Sequence, residues 1–406
     1  MRILRFLAAN WAFLLAGVLL SFTSSFGQTY FISLFAGEIM EKFALTDGQW
    51  GAIYTLGTTV SAMVMIWMGG LTDTFRVRAL APVILIGLAL TCLLMAWIPA
   101  AWMLVPVIFA LRFFGQGMLV HLSVVAMARW FVATRGLALS ISATGFGIGQ
   151  AILPVIFVSL LTWVAWERLW IVAAVMVVVV LPIIAYLLRL ERTPQSIAEE
   201  SDVTGMNGMH WTRNQMLRHP LFWFLVPLLL GPPTWGTALF FQQVHLTRVK
   251  GWALVDFVAL NPLFIVVATL ATFGAGWAID RFGTGRMIPF YLLPFAASFG
   301  VMAEAPTIPV AALGLCLFAL GAGMQATVPN AFWAEYYGTR HAGSIKAAAT
   351  AIMVLGTALG PGITGFLIDR GIDFPDQMWA IAFYFLFAAL CAAIGIKRAG
   401  PLAATA

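Results

Sequence analysis

The sequence predicts an all-α integral membrane protein, with twelve transmembrane helices in two pseudo-symmetric six-helix bundles. Three observations carry that reading. Apolar residues fill 62% of the 406 positions and charged residues only 9%, against roughly 25% charged in soluble domains. About twelve runs approach the ~20 apolar residues needed to cross the hydrocarbon layer. The chain also repeats itself at an offset of 207 residues: Gly69 and Asp73 recur as Gly276 and Asp280, Gly136 as Gly343, Gly149 and Pro154 as Gly356 and Pro361. Two homologous halves, each full of membrane-length runs, point to a duplicated bundle.

The apolar runs place helices near 7–35, 50–70, 80–98, 102–127, 137–162 and 169–188, then near 220–246, 256–278, 287–304, 307–332, 345–368 and 377–396. The first bundle therefore covers 1–188, a polar linker 189–219, and the second bundle 220–406. Short loops elsewhere make neighbouring helices antiparallel. Within the linker, Trp211 to Arg218 has the pattern of a short amphipathic helix lying at the membrane face.

Charge orients the chain. With the N-terminus inside, the inner segments hold Arg2, Arg5, Arg76, Arg78, Arg129, Arg135, Arg189, Arg192, Arg213, Arg218, Arg281, Arg286, Arg340, Lys346, Lys397 and Arg398. The outer loops hold Lys42, Arg168, Arg248, Lys250 and Arg370. This positive-inside bias puts both termini in the cytoplasm of a cell membrane, the inner membrane in a bacterium. It also explains the net charge of +6 without a nucleic-acid partner. The first apolar run follows Arg2 and Arg5 but continues without a convincing cleavage site, so it reads as a helix and not as a secretory leader.

Along the chain, the first helix carries Ser21, Ser24, Ser25 and Gln28 as a polar stripe. After the second helix comes Gly69-Gly70-Leu71-Thr72-Asp73-Thr74-Phe75-Arg76-Val77-Arg78. A glycine four residues before an aspartate lets a neighbouring helix approach, and the aspartate accepts from helix N-terminal amides or pairs with arginine. The fourth helix holds Arg112, the one full charge placed deep in a span, where insertion costs roughly 2.5–3.5 kcal/mol. It must face the interior. On an ideal helix Gln116 and Ser123 share its face, while His121 lies about 180° round. Arg112 reads either as an anion anchor or as a hub for carbonyls of the first or second helix. In the fifth helix Gly145, Gly147, Gly149 and Pro154, and in the eleventh Gly356, Gly360, Pro361, Gly362 and Gly365, allow tight, bendable contacts where the halves meet.

The seventh helix carries Thr234, Thr237, Gln242, Gln243 and His245. Aligning Ser25–Gln28 with Leu239–Gln242 pairs Gln28 with Gln242, which suits a site at a pseudo-twofold centre. The eighth helix ends in Gly276-Trp277-Ala278-Ile279-Asp280-Arg281-Phe282-Gly283-Thr284-Gly285-Arg286. Tyr54, Gln150, Asn261 and Gln325 are lone polar residues in spans, more often packing contacts than ligands. His121, His245 and Asp256 are the candidates for proton coupling. Cys92, Cys316 and Cys391 all sit in apolar runs and read as packing residues, with no disulfide, metal or cofactor implied.

The loop around Asp280 resembles the signature G-x-x-x-D-R-x-G-R-R of the major facilitator superfamily. The N-half copy departs from it, with Thr74 after the aspartate and Arg76 in place of glycine, which implies a weakened or rearranged lock there. Arg112-Phe113-Phe114-Gly115-Gln116-Gly117 resembles the family's R-x-x-x-G-x-G motif, slightly contracted. The glycine and proline positions of the fifth and eleventh helices resemble its glycine–proline motif. The resemblance spans the chain and implies the major facilitator fold. It also implies secondary transport by alternating access, with gating by Gly69, Asp73, Arg76, Arg78, Gly276, Asp280, Arg281, Gly283, Arg286, Gly149, Pro154, Gly360 and Pro361.

Ser25–Phe35 and Phe241–Leu246 further resemble the monocarboxylate and oxalate–formate branch. That implies a small organic anion as substrate, moved with a proton or in exchange for a counter-substrate. Branch members hold carboxylate with basic residues in the eighth or eleventh helix; here the eighth has none before Arg281, and Lys346 sits at the start of the eleventh. The expected pathway is therefore Arg112, Gln28, Gln242, Gln116, Ser24, Ser25, Tyr54, His245, Asn261 and Gln325, in a protein acting as a monomer. The alternative is an exporter of lipophilic metabolites or drugs. A non-transporting receptor would need a larger soluble domain than the linker. An enzyme would need a constellation such as HExxH, GxSxG, a Walker loop or paired intramembrane carboxylates, and the sequence has none.

Overall fold

A computed structural model describes residues 2–131, 134–189 and 204–399; the side chains at 2–5, 73, 74, 135 and 342 are not among those described. Among the described residues, twelve helical spans are long and apolar enough to cross a membrane. They are α1 (Phe6–Gly27), α2 (Asp47–Met68), α3 (Val77–Ala96), α4 (Ala101–Trp130), α5 (Gly136–Leu161) and α6 (Trp166–Leu187). The second set is α7 (Pro220–Phe241), α8 (Leu254–Phe282), α9 (Thr284–Glu304), α10 (Ile308–Tyr337), α11 (Gly343–Asp369) and α12 (Phe374–Lys397). The chain separates into two compact units, Met1–Ala198 and Glu199–Ala406, so each unit holds six spans.

Both units use one packing plan. In the first, α1 runs along α5, α2 along α4 and α3 along α6; in the second, α7 runs along α11, α8 along α10 and α9 along α12. The glycines of α5 and α11 set the first of these contacts. A Cβ on Gly149 would meet Ser25 Oγ, and one on Gly145 the carbonyl of Val18. A Cβ on Gly356 would stand 2.8 Å from Thr234 Oγ1, and one on Gly360 would meet the Thr234 carbonyl. These close approaches lie within each bundle, on α1 and α7. Small residues let backbones touch, and dispersion and hydrogen bonds then hold the pair where lipid removes the hydrophobic drive. Aromatic rings fill the centres: Phe31, Phe35, Phe157 and Trp170 in one unit, Phe295, Phe299, Phe318 and Phe385 in the other.

Four helices expected to be continuous are interrupted: the eighth between Val258 and Asn261, the ninth between Phe290 and Leu293, and the first and seventh as follows. The run 7–35 ends as a 3₁₀ turn at Ser24–Gly27, passes through extended Gln28, and resumes as short helices from Thr29 to Phe43. The run 220–246 ends at Phe241, and a new helix Gln243–Lys250 follows Gln242. In α4, Arg112–Leu119 is a π-helix, so ideal 3.6-residue spacing does not apply there and the face angles computed from it fail.

The second part of the linker is not a free tether. Thr212 and Gln215 form a reciprocal capping box that starts the helix Arg213–Arg218. Before it, the Trp211 amide donates to the Tyr337 carbonyl at 3.0 Å, and its indole donates to Met206. Residues 204–219 are therefore docked on the end of α10, as part of the C-terminal unit. The expected linker residues 190–203 lie outside the described residues.

Candidate functional site

The break in α1 gathers buried polar side chains, and α4 holds it. Breaking a helix leaves backbone carbonyls without partners, and in a membrane these must be satisfied by protein. Arg112 does this. Its Nη1 donates to the Gly27 carbonyl and to Thr29 Oγ1, each at 3.2 Å. Thr29 Oγ1 in turn lies 2.6 Å from Tyr54 Oη, and the guanidinium sits 5.5 Å from the centre of the Tyr54 ring, within cation–π range. Arg112 is only 2% exposed, and its Nε has no acceptor. No carboxylate among the described residues pairs with it.

Glycine makes this geometry possible. A Cβ on Gly115 would lie 2.6 Å from Gly27 Cα and 2.8 Å from Gly27 N. The two backbones therefore touch where α1 opens and α4 widens into its π turn. Ser24 and Ser25 are buried in the same place: Ser24 Oγ donates to the Ser21 carbonyl at 2.6 Å, and Ser25 Oγ accepts from Tyr30 Oη at 2.8 Å. Gln28 is buried and Gln116 half-buried beside them. Neither side-chain amide bonds to a described residue. Six expected pathway residues (Arg112, Gln28, Gln116, Ser24, Ser25 and Tyr54) thus converge on one break. One step along, Ser21, Ser123 and Ser142 join α1, α4 and α5 in a buried hydroxyl cluster, with Ser123 also donating to the Gly17 carbonyl.

Gln242 occupies the corresponding break after α7. Its Nε2 donates to Thr364 Oγ1 of α11 at 3.0 Å. Three residues on, His245 Nδ1 accepts from Arg248 Nη2 at 3.1 Å, which leaves Nε2 as the protonated nitrogen, 3.3 Å from Asp373 Oδ1. Asn261 is buried in α8, and Asp256 is exposed on the short helix Leu254–Val258. These three are not brought together with Gln325. That residue lines a partly open cavity of about 190 Å³ within the C-terminal unit, formed by α7, α9, α10 and α11.

The two signature loops are clasped differently. Thr72 Oγ1 donates to the Gly69 carbonyl at 2.8 Å and accepts from His121 Nε2 at 3.2 Å, while Arg129 Nη1 donates to the Thr72 carbonyl. His121 thus serves the Gly69 loop, an assignment to which ideal-helix spacing gave no access. The side chain of Asp73 lies outside those described. In the second unit Thr284 Oγ1 donates to Glu335 Oε2 at 2.6 Å. Gly283, at φ 76°, ends α8 in a conformation that only glycine adopts readily. Arg281 lies over the Trp277 and Phe282 rings, and Asp280, Arg286, Arg76 and Arg78 are exposed. Nothing stands within 4 Å of a Cβ built on Gly276, so the close helix approach expected there is absent. Pro154 and Pro361 are buried inside α5 and α11.

Sequence reading missed Thr29, Thr72, Arg129, Ser142 and Thr364 as partners. Four of these are hydroxyls, which in helices mostly bond back to their own turn, so nothing in their spacing distinguishes the few that reach across, while Arg129 read only as one of the inner-face cations.

The model of the Major Facilitator Superfamily matches residues 17–361 and 260–403. The Oxalate:formate antiporter of Oxalobacter formigenes is 24% identical over 398 residues, covering 91% of this chain and 90% of that protein. The Multidrug resistance protein B homolog of Mycobacterium tuberculosis (strain ATCC 25618 / H37Rv) is 35% identical over 120 residues, 30% of this chain. The chain thus matches only 21% of that relative's own length. Among solved structures, the nucleoside transporter NupG superposes with a TM-score of 0.70 at 13% identity, covering 95% of this chain and 99% of its own. A bacterial homolog of the human lysosomal transporter Spinster gives 0.65 at 15% identity, with 95% and 93% covered. At such identities the likeness is one of fold. The family's model, matched over most of the length, and the duplicated plan of six spans lead to one conclusion: the chain belongs to the major facilitator superfamily and is a membrane transporter, not an enzyme.

Proposed function

We propose that this transporter moves a small organic anion, such as a monocarboxylate, across the cell membrane by alternating access. It works as a monomer with both termini in the cytoplasm, and a proton or a counter-substrate is its coupled partner. Arg112 carries the reading. A guanidinium buried in a membrane bundle with no carboxylate partner among the described residues leaves positive potential at the α1 break, and low dielectric extends its reach. Because its Nη1 is engaged with Gly27 and Thr29, Arg112 acts on the solute mainly through this field. Gln28 and Gln116 supply the amide donors at the same break. Similarity over nearly the whole length to an oxalate:formate antiporter supports carboxylate exchange.

The second reading, export of lipophilic compounds, is favoured by the local match to a multidrug resistance protein homolog. Counterflow in proteoliposomes separates the two. Oxalate, formate and pyruvate are offered as labelled solutes alongside tetraphenylphosphonium, to wild type and to Arg112→Gln. Carboxylate counterflow that is lost in Arg112→Gln is the expected result. Counterflow of the lipophilic cation alone would replace the organic-anion reading with the exporter.

A further inference from the structure

We propose that His245 is a proton-binding latch at the α7 break, held by Arg248 when neutral and released to Asp373 when protonated. This deepens the proposed function by giving the proton a site, and it rests on the transport reading but not on the identity of the solute.

The helix Gln243–Lys250 is short and is cut off from α7 by Gln242, whose backbone leaves helical geometry at φ −88° and ψ 13°. Side chains therefore fix its position. Thr364 of α11 joins the parts: its Oγ1 accepts from Gln242 Nε2 at 3.0 Å, and its carbonyl accepts from Gln377 Nε2 at 3.1 Å. Gln377 Nε2 also donates to the Ile372 carbonyl at 2.8 Å, which ties down the turn that carries Asp373. His245 closes this frame. It is 4% exposed, and its two ring nitrogens meet opposite charges. Nδ1 accepts from Arg248 Nη2 at 3.1 Å, and Nε2 stands 3.3 Å from Asp373 Oδ1. Asp373 holds the N-cap position of α12, where an aspartate ordinarily accepts from the amides two or three residues on. Its side chain makes no such bond and lies by the imidazole instead.

Chemistry makes the two states exclusive. A neutral imidazole offers one donor and one acceptor, whereas an imidazolium has two donors and no acceptor. Proton uptake at Nδ1 therefore breaks the bond from Arg248, sets two cations side by side and leaves Asp373 as the counter-charge. Imidazole is the side chain whose charge ordinarily changes between about pH 5 and 8. The helix packs against α7, the short helix Leu254–Val258 and α12. Of these, α7 has no ionisable side chain, and Asp256 and Asp376 on the other two are exposed. Asp369 and Arg370, where α11 turns towards α12, are exposed as well, and Lys250 donates to the Ala303 carbonyl. Arg248 and Asp373 are thus the charges that meet the ring nitrogens. The Asp373 side chain is half-exposed and faces the outer solution in the orientation proposed above. A proton from that side opens the latch and frees the helix beyond the α7 break.

The test is amide hydrogen exchange of the full-length protein in lipid nanodiscs from about pH 5 to 8, corrected for the intrinsic pH dependence of exchange. Losing one hydrogen bond to a charged group is worth about tenfold. Amides of Gln243–Lys250 should lose protection by that factor as pH falls through the imidazole range. His245→Gln keeps one donor and one acceptor and should stay protected throughout, whereas Arg248→Met should be unprotected throughout. Asp373→Asn removes the counter-charge and should move the midpoint to lower pH. A flat wild-type profile, or a pH-dependent loss that persists in His245→Gln, would overturn the latch. If His245→Gln misfolds, an unmoved midpoint in Asp373→Asn overturns it instead. No solute enters these measurements, so the latch and the organic-anion reading, which counterflow of oxalate, formate and pyruvate decides, fail separately.

Discussion

Arg112 Nη1 and the Gly27 carbonyl meet at 3.2 Å across 85 residues of sequence. That bond joins the π turn of α4 to the break in α1. It satisfies a carbonyl that the break deprives of its helical partner, and it fixes a cation that would otherwise be expensive to bury. The motif arginine is thus a structural element of the bundle before it is anything else.

Loss of that bond should be visible without any substrate. Each hydrogen bond to a charged group is worth about 1.5–3 kcal/mol. Arg112→Gln is therefore expected to lower the melting temperature of the purified protein, and Arg112→Lys to recover part of the loss. Equal melting temperatures for wild type and Arg112→Gln would show that the α1 break does not depend on Arg112.

The glycines make opposite predictions. Gly115→Ala places a methyl 2.6 Å from Gly27 Cα, backbone against backbone, and overpacking of this kind costs about 1–3 kcal/mol or more. Gly276→Ala meets open space and should gain slightly in helix propensity. Thermal unfolding of the two variants side by side checks this. A stable Gly115→Ala would contradict the close approach of α1 and α4.

Thr72 links the loop at Gly69 to α4. Thr72→Val keeps the shape but removes two neutral hydrogen bonds, worth about 0.5–1.5 kcal/mol each. Exchange rates should fall while affinity for the solute holds, because the contact lies away from the α1 break. An affinity loss matching the rate loss would instead place Thr72 in the pathway.

Glu38 offers a pH-dependent test outside the spans. Burial, with a smaller contribution from the Glu41 charge, raises its pKa above the usual glutamate value. A carboxyl whose folded pKa is raised binds protons more tightly in the native state, so stability falls as pH climbs from the unfolded value through the folded one. Glu38→Gln should therefore melt higher than wild type at neutral pH and match it below the ordinary glutamate range. A constant difference at every pH would assign the effect to packing.

Much of this was legible in the residues. The offset of 207, the hydropathy and the distribution of arginine do not depend on how side chains meet, and they indicated twelve spans in two like halves. The pairing of Gln28 with Gln242 was also readable, since both stand where the first helix of a unit breaks. The breaks themselves were not. A run such as Leu20 to Phe35 has no proline to stop it, and its interruption depends on a partner from α4 that takes the freed carbonyl. The contact of His121 with Thr72 was not readable for a related reason, because the π turn changes the face on which later side chains of α4 fall.

By itself the sequence determined the family, the number of spans and the duplicated plan, because these follow from composition, length and repetition. Only the tertiary structure decided what the polar residues do. A buried arginine, an amide or a threonine has several partners open to it along a helix. The one it takes depends on which backbone comes within 3 Å, and that distance is set by glycines and helix breaks acting across the bundle.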